Sequence, residues 1–226
     1  MIAAMRNVTK LYGRNYGVRN LNLTLPAGEV VGLLGVNGSG KTTVLKLLAG
    51  LLVPTSGEVS VLGAPPRHNR ARIAFLGETD ALYRWMSPRD AERLMSGLYP
   101  DFRPARYRDL LDQLRVPGVK AGAMSKGERM RLRLAMSLAR DALLYLFDEP
   151  LGGIDLVSRE RIIRSLVAEW RTDAAVIVAT HAVAESEGLF DRVVFLDRGE
   201  LVLDARAEDL RAQGKSVRAT FLEVLG

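Results

Sequence analysis

The chain contains no cysteine. That excludes disulfides and thiolate metal sites, and it fits a reducing compartment. Long apolar runs are also lacking: the longest, from Ala142 to Phe147 and from Ala174 to Ala179, are far too short to span a bilayer. The first residues, Met1-Ile2-Ala3-Ala4-Met5-Arg6, lack the basic-then-apolar order of a secretory signal. No internal repeat, low-complexity tract, interdomain linker or heptad run is present. The formal net charge is +6, but arginines are scattered among acids, as from Arg103 to Arg115, and no long basic run appears. A mixed-sign, solvated surface follows, with no nucleic-acid partner expected, and the expectation is a soluble cytoplasmic protein.

What is present is enough apolar material for a sizeable core. Hydrophobic residues make up 48% of 226, which suits one large domain or a core with an inserted subdomain. Val18, Leu21, Leu23 and Leu25, interspersed with polar residues, predict extended structure, and Pro26-Ala27-Gly28 turns the chain. Short strands are predicted at Glu29–Leu34, Glu58–Leu62, Ile73–Leu76, Leu143–Phe147 and Val176–Ala179. Helices are predicted after Ser87-Pro88-Arg89-Asp90, through Leu110 to Leu114, from Lys126 to Ala139, from Arg159 to Trp170, and briefly up to Leu189. Asp197-Arg198-Gly199 reads as a hairpin turn between Val193–Leu196 and Leu201–Leu203. The tail beyond Leu203 is short, so no large C-terminal domain is expected. Alternating strands and helices imply an α/β fold with a mainly parallel sheet behind a β-rich N-terminal part.

Gly35-Val36-Asn37-Gly38-Ser39-Gly40-Lys41-Thr42 fits the pattern G-x-x-x-x-G-K-[ST] in full. A buried strand precedes it and a helix beginning Thr43-Val44-Leu45 follows. Glycines let such a loop wrap an anion, and the backbone N–H groups from Asn37 to Thr43 point at phosphates. The helix N-terminus adds unpaired donors. Lys41 reaches β- and γ-phosphates, and the Thr42 hydroxyl is suited to Mg²⁺. A nucleoside triphosphate is the expected ligand.

Hydrolysis needs more: a second metal ligand and a group that activates water. Leu143 to Phe147 is an apolar strand that ends in Asp148-Glu149, where a parallel sheet places its active site. Asp148 is suited to hold Mg²⁺ through water, and Glu149 to orient or deprotonate the attacking water. Alone, the pair reads as an acidic turn before Pro150. Beside a phosphate loop it reads as catalytic.

These residues, with others in the same order, resemble the ATPase subunits of ABC transporters along nearly the whole chain. The resemblance implies one ABC ATPase domain over 1–226: a P-loop NTPase core, an N-terminal antiparallel β subdomain, and a helical subdomain inserted at about 84–139. Tyr12 lies where the family's aromatic residue stacks on adenine, although an N-terminal tyrosine can equally be filler. Glu78 occupies the Q-loop position and is implied as a metal ligand. Met124-Ser125-Lys126-Gly127-Glu128 resembles the signature, in which Ser125 and Gly127 touch the nucleotide of an opposing subunit. Ser125 and Glu128 also have the spacing of a capping box. Gly153-Ile154-Asp155 resembles the D-loop, with Asp155 near nucleotide, and Thr180-His181 the switch histidine that contacts the γ-phosphate.

By this resemblance, two chains sandwich two ATP, as homodimer or heterodimer, and drive a separate membrane permease from its cytoplasmic face. Arg84-Trp85-Met86 either lines the groove for a permease helix or puts Trp85 in the core. Glu78 and Lys126 depart from the usual glutamine and glycine, which keeps a regulatory, slowly hydrolysing subunit open as a reading. They are similar to a bacterial subgroup with Ser-Lys-Gly signatures linked to export. A soluble ABC-type ATPase acting on ribosomes or DNA is the alternative from another class.

Overall fold

A computed structural model describes residues 1–152, 155, 157, 159–163 and 172–226. Its strands are β1 (Ala3–Tyr12), β2 (Asn15–Leu25), β3 (Val30–Leu34), β4 (Ser56–Val61), β5 (Ile73–Leu76), β6 (Leu144–Asp148), β7 (Ala175–Thr180), β8 (Arg192–Asp197) and β9 (Glu200–Arg206). They make an antiparallel sheet in the order β2-β1-β4 and a six-stranded sheet in the order β5-β6-β7-β3-β8-β9. The larger sheet is parallel from β5 to β8 and ends in the antiparallel β8–β9 hairpin.

The apolar runs of β3, β6 and β7 show little alternation because both faces of the sheet are covered. Leu144 and Leu146 of β6 pack with the antiparallel sheet and α1 (Lys41–Leu48), whereas Tyr145 and Phe147 face the opposite cluster. Helix α1 buries Val44, Leu45, Leu47 and Leu48 between the two sheets, so the phosphate loop at its start is anchored on a solid core.

Three helices follow β5: α2 (Pro88–Leu98), α3 (Pro104–Gln113) and α4 (Lys126–Leu138). Ser87 caps α2 reciprocally with Asp90: the Asp90 N–H donates to Ser87 Oγ at 3.3 Å, and the Ser87 N–H donates to Asp90 Oδ2 at 3.0 Å. Tyr107 of α3 is fully buried and donates to the Pro88 carbonyl at 3.0 Å; burial pushes its phenol well above the usual range. The segment between β5 and α2 is strapped to α4 and to the 3-10 turn before it, Ala121–Ala123. Ala121 N–H donates to Met86 O at 2.8 Å and Gly122 N–H to Arg84 O at 2.9 Å, while Arg129 pairs with Asp80 and Arg133 donates to Gly77 O. Trp85 is not in the core. It is 59% exposed and stacks on Tyr83 with ring centroids 5.6 Å apart, whereas Met86 beside it is buried.

The predicted helix from Arg159 to Trp170 is seen as helix over 159–163, and its remainder lies outside the described residues. After β7 come α5 (Val183–Ser186) and a short 3-10 turn, Glu187–Leu189. Beyond Leu203 the chain carries on through β9 into α6 (Ala207–Ala212) and α7 (Val217–Leu225), two helices that the sequence reading did not anticipate. They cover one face of the sheet through Ala207, Leu210 and Val217.

Arg140, only 3% exposed, pins the three-helix region to the sheet. Its guanidinium meets both carboxylate oxygens of Asp101 at 3.1 Å, donates to Ile73 O at 2.7 Å and Ala71 O at 2.6 Å, and stacks on Tyr99 at 3.8 Å. Removing one member of such a buried set strands the others without partners. Arg140→Ala is therefore expected to lower unfolding free energy by about 3 kcal/mol in chemical denaturation. A loss under about 1 kcal/mol would show that water replaces these bonds.

Candidate nucleotide site

At the carboxyl edge of the parallel sheet, strand ends bring distant residues together. Leu34 of β3 pairs with Thr180 of β7, and Asp148 of β6 with Ala179. Residues Gly35, Glu149 and His181 therefore leave the sheet side by side. Between them is a cavity of 390 Å³. Asn37, Gly38, Ser39, Gly40, Lys41, Thr42 and Thr43 line it, with Glu78, Asp148, Glu149 and His181.

The loop conformation explains its glycines. Gly40 has φ 107°, and a Cβ there would lie 2.4 Å from the Gly17 carbonyl oxygen. A Cβ on Gly35 would lie 2.4 Å from Ser39 Oγ and 2.5 Å from Leu196 O. Both positions demand a residue without a side chain. Two groups in the loop are poised for an anion. Ser39 Oγ is buried without a hydrogen-bond partner. Lys41 Nζ curls back to donate to Gly35 O at 2.7 Å and Val36 O at 3.1 Å. Burial lowers the Lys41 ammonium below its usual range, an effect that Glu149, Asp148 and Glu78 oppose.

The Thr42 hydroxyl donates to Asp148 Oδ2 at 2.9 Å. Asp148 is 1% exposed, and burial raises its carboxyl above the usual range. The Thr42 bond and Lys41 work against that rise; Glu149 and Glu78 add to it. Three carboxylates thus face one lysine, a charge imbalance that a hard divalent cation would correct. Among the described residues no group of three His, Cys, Asp or Glu side chains forms a metal cage. Thr42, Asp148 and Glu78 are the side chains that could hold such an ion, the rest of its shell coming from water and the ligand's own oxygens.

Glu149 has φ 50°, a left-handed conformation that costs a non-glycine residue about 1–3 kcal/mol. Its N–H donates to Ala179 O at 2.9 Å, which holds that turn. The carboxylate is gripped from β7 and the residue after it. Oε2 accepts from the Thr180 hydroxyl at 2.9 Å, and Oε1 accepts from the His181 N–H at 3.0 Å and lies 2.6 Å from His181 Nδ1.

Other residues singled out in the sequence lie elsewhere. Tyr12, at the end of β1, is 48% exposed, and its ring lies against Gly17, which itself lines the cavity. Gly17 was not foreseen, because it comes from β2 and has no motif of its own. Ser125 and Gly127 sit outside the cavity at the start of α4. There Ser125 Oγ accepts from the Glu128 N–H at 3.2 Å, and the Ser125 N–H donates to Glu128 Oε2 at 2.7 Å. That backbone bond holds the Glu128 carboxyl below its usual range. Asp155 is exposed, and Gly153 and Ile154 lie outside the described residues.

Residues 18–152 match the family model described as ABC transporter. The chain is 32% identical over 225 residues to an aliphatic sulfonates import ATP-binding protein of Pseudomonas putida, covering 97% of this chain and 82% of that one. It is 34% identical over 212 residues to Nod factor export ATP-binding protein I of Burkholderia lata, covering 88% and 69%. Among solved structures, the dimeric post-hydrolysis state of the ATP-binding cassette MJ0796 bound to ADP and Pi superposes with a TM-score of 0.81 at 25% identity, covering 91% of this chain and 98% of that one. The chain belongs to the ABC transporter family as an ATP-binding subunit, an ATPase that works with a dimer partner and a membrane permease. No described helix is long and apolar enough to cross a membrane.

The buried Asp148 gives a stability test. An acid whose folded pKa is raised costs stability once pH climbs above the unfolded value near 3.8, in full above the folded value. With chelator and no nucleotide, Asp148→Asn is expected to melt above wild type at neutral pH, the gap shrinking as pH falls. Thermal melts across pH check this, and a variant that melts below wild type at neutral pH would contradict it.

Proposed function

We propose that this ATPase hydrolyses ATP at a site built from the phosphate loop, Asp148, Glu149 and His181, completed by Ser125 and Gly127 of an opposing subunit. The observation that carries the reading is the convergence of Lys41, the Thr42–Asp148 pair and the Glu149 carboxylate on one cavity. The N–H groups from Asn37 to Thr43 cradle the phosphates, and Lys41 turns from its loop carbonyls to the β- and γ-phosphates. Thr42, Asp148 and Glu78 would hold Mg²⁺, directly or through water, and the ion would offset phosphate charge. Glu149 accepts a proton from the water that attacks the γ-phosphorus. The bond from phosphorus to the bridging oxygen breaks, and ADP leaves with that electron pair. His181 faces the γ-phosphate, Tyr12 packs on adenine, and Asp155 borders the partner's nucleotide.

The opposing signature has a physical basis in α4. Its capping box uses the Glu128 N–H, while Lys126 and Gly127, in the same first turn, have no acceptor within the helix. Those donors, with the Ser125 hydroxyl, suit a γ-phosphate presented by a second chain. ATP binding thus closes a dimer, of two copies or with a sister subunit, and hydrolysis reopens it.

A second cavity, of 610 Å³, adjoins Glu78. Leu51, Phe75, Leu82, Met95, Tyr99 and Met136 give it apolar walls suited to a permease helix. Leu82 belongs to its lining, but Arg84, Trp85 and Met86 do not. The subunit would therefore sit on the cytoplasmic face of the membrane, with residues 84–139 as the helical subdomain that receives the permease. Relatives serve both import and export. Export is our reading for this chain, on the Ser125-Lys126-Gly127 sequence.

Glu149→Gln is expected to cut steady-state turnover by roughly 10²-fold or more while ATP binding persists. The variant should then run as a dimer on gel filtration with MgATP, and adding Ser125→Arg should keep it monomeric. Near-normal turnover would remove Glu149 from the base role, and an ATP-dependent dimer that survives Ser125→Arg would remove Ser125 from the partner's site.

A further inference from the structure

We propose that Thr180 is a positioning residue for hydrolysis, fixing the Glu149 carboxylate through Oε2; the proposal rests on the general-base reading of Glu149. Thr180 is the last residue of β7 and is fully buried, with Leu34 of β3 as its strand partner. Its hydroxyl does two things at once. It accepts from the Ala182 N–H at 3.0 Å and donates to Glu149 Oε2 at 2.9 Å. A hydroxyl carries one proton, and with the Ala182 N–H set on its oxygen, that proton is directed at the carboxylate. A threonine needed only to shape the turn would require the Ala182 bond alone, as in an ordinary hydroxyl turn. The donor half of the arrangement serves Glu149.

The two carboxylate oxygens are held by very different partners. Oε1 accepts from the His181 N–H and lies against the His181 imidazole, a side chain that is 54% exposed. Oε2 is tied to Thr180, which is enclosed by the sheet and stiff at χ1 because it is β-branched. When the His181 imidazole turns to the nucleotide, its backbone N–H still holds Oε1, and Thr180 remains the one side-chain restraint described on the carboxylate. With Oε2 fixed, the Oε1 lone pair released by the ring faces the water. The left-handed backbone at Glu149 makes such a restraint necessary, since that turn sets where the side chain starts but not where it points.

The test compares Thr180→Val, which keeps the shape and loses the proton, with Thr180→Ser, which keeps the proton. Steady-state kinetics, thermal melting and gel filtration with MgATP are measured for each, with Glu149→Gln alongside. Thr180→Val is expected to lower kcat by roughly 10- to 100-fold. Its KM for ATP should stay within about twofold of wild type, and it should accumulate an ATP-bound dimer. Thr180→Ser should recover kcat to within about threefold of wild type. If Thr180→Val does not fold, Thr180→Ala carries the same expectations. Wild-type kcat in the valine variant, loss of ATP binding together with kcat, or failure of serine to restore turnover would each overturn the proposal. If Glu149→Gln itself turns over, the general-base reading falls and this inference with it. If Glu149→Gln is inert and Thr180→Val is normal, only the role of Thr180 falls.

Discussion

The structure depends on one constraint: β7 must pair in parallel with β6 on one side and β3 on the other, in a single register. That register sets Asp148 opposite Ala179 and Thr180 opposite Leu34. A slip of one residue would turn each of these side chains to the other face of the sheet. Both faces are packed, with Leu146 and Ile177 in one cluster and Phe147 and Val178 in the other, so a slip would also break two cores. The same packing that stabilises the sheet therefore brings the phosphate loop, Asp148, Glu149 and His181 to one edge.

The groups gathered there are held at a cost. Lys41 is buried against carbonyls with its ammonium disfavoured, Asp148 is buried with its carboxylate disfavoured, and Glu149 holds a costly backbone conformation. A triphosphate and a cation, as proposed for this site, would offset the first two together. Beyond the cavity, the strap from residues 77–86 to α4 joins the loop that carries Glu78 to the helix that carries Ser125. Arg140, just beyond α4, ties the same region to the start of β5.

Much of this was legible because its causes are local. A phosphate loop is backbone chemistry written in glycines, and the φ of Gly40 shows why no other residue would serve. Asp148-Glu149 stands out because an apolar strand ends there. The caps at Ser87 and Ser125 are three-residue patterns, and both form reciprocal boxes. What stayed hidden depends on contacts across the sequence. Gly17 enters the site only through the approach of β2 to Gly40. The direction of the Thr180 hydroxyl depends on both Glu149 and Ala182. Trp85, an aromatic that sequence alone could assign to a core or to a groove, lies exposed on Tyr83 instead. Helix α6 was missed because six residues carry little periodic signal, and α7 because its apolar residues do not form one stripe: Val217 is buried on the sheet face, while Leu222 and Val224 are exposed.

In the proposed mechanism, catalysis is shared between two chains. The most direct measurement is a crystal structure of the Glu149→Gln variant with MgATP. We expect each γ-phosphate to lie between the Lys41 loop of one chain and Ser125 and Gly127 of the other, with Thr180 still donating to the side chain at position 149. An ATP enclosed by a single chain, with Ser125 exposed to solvent, would contradict it.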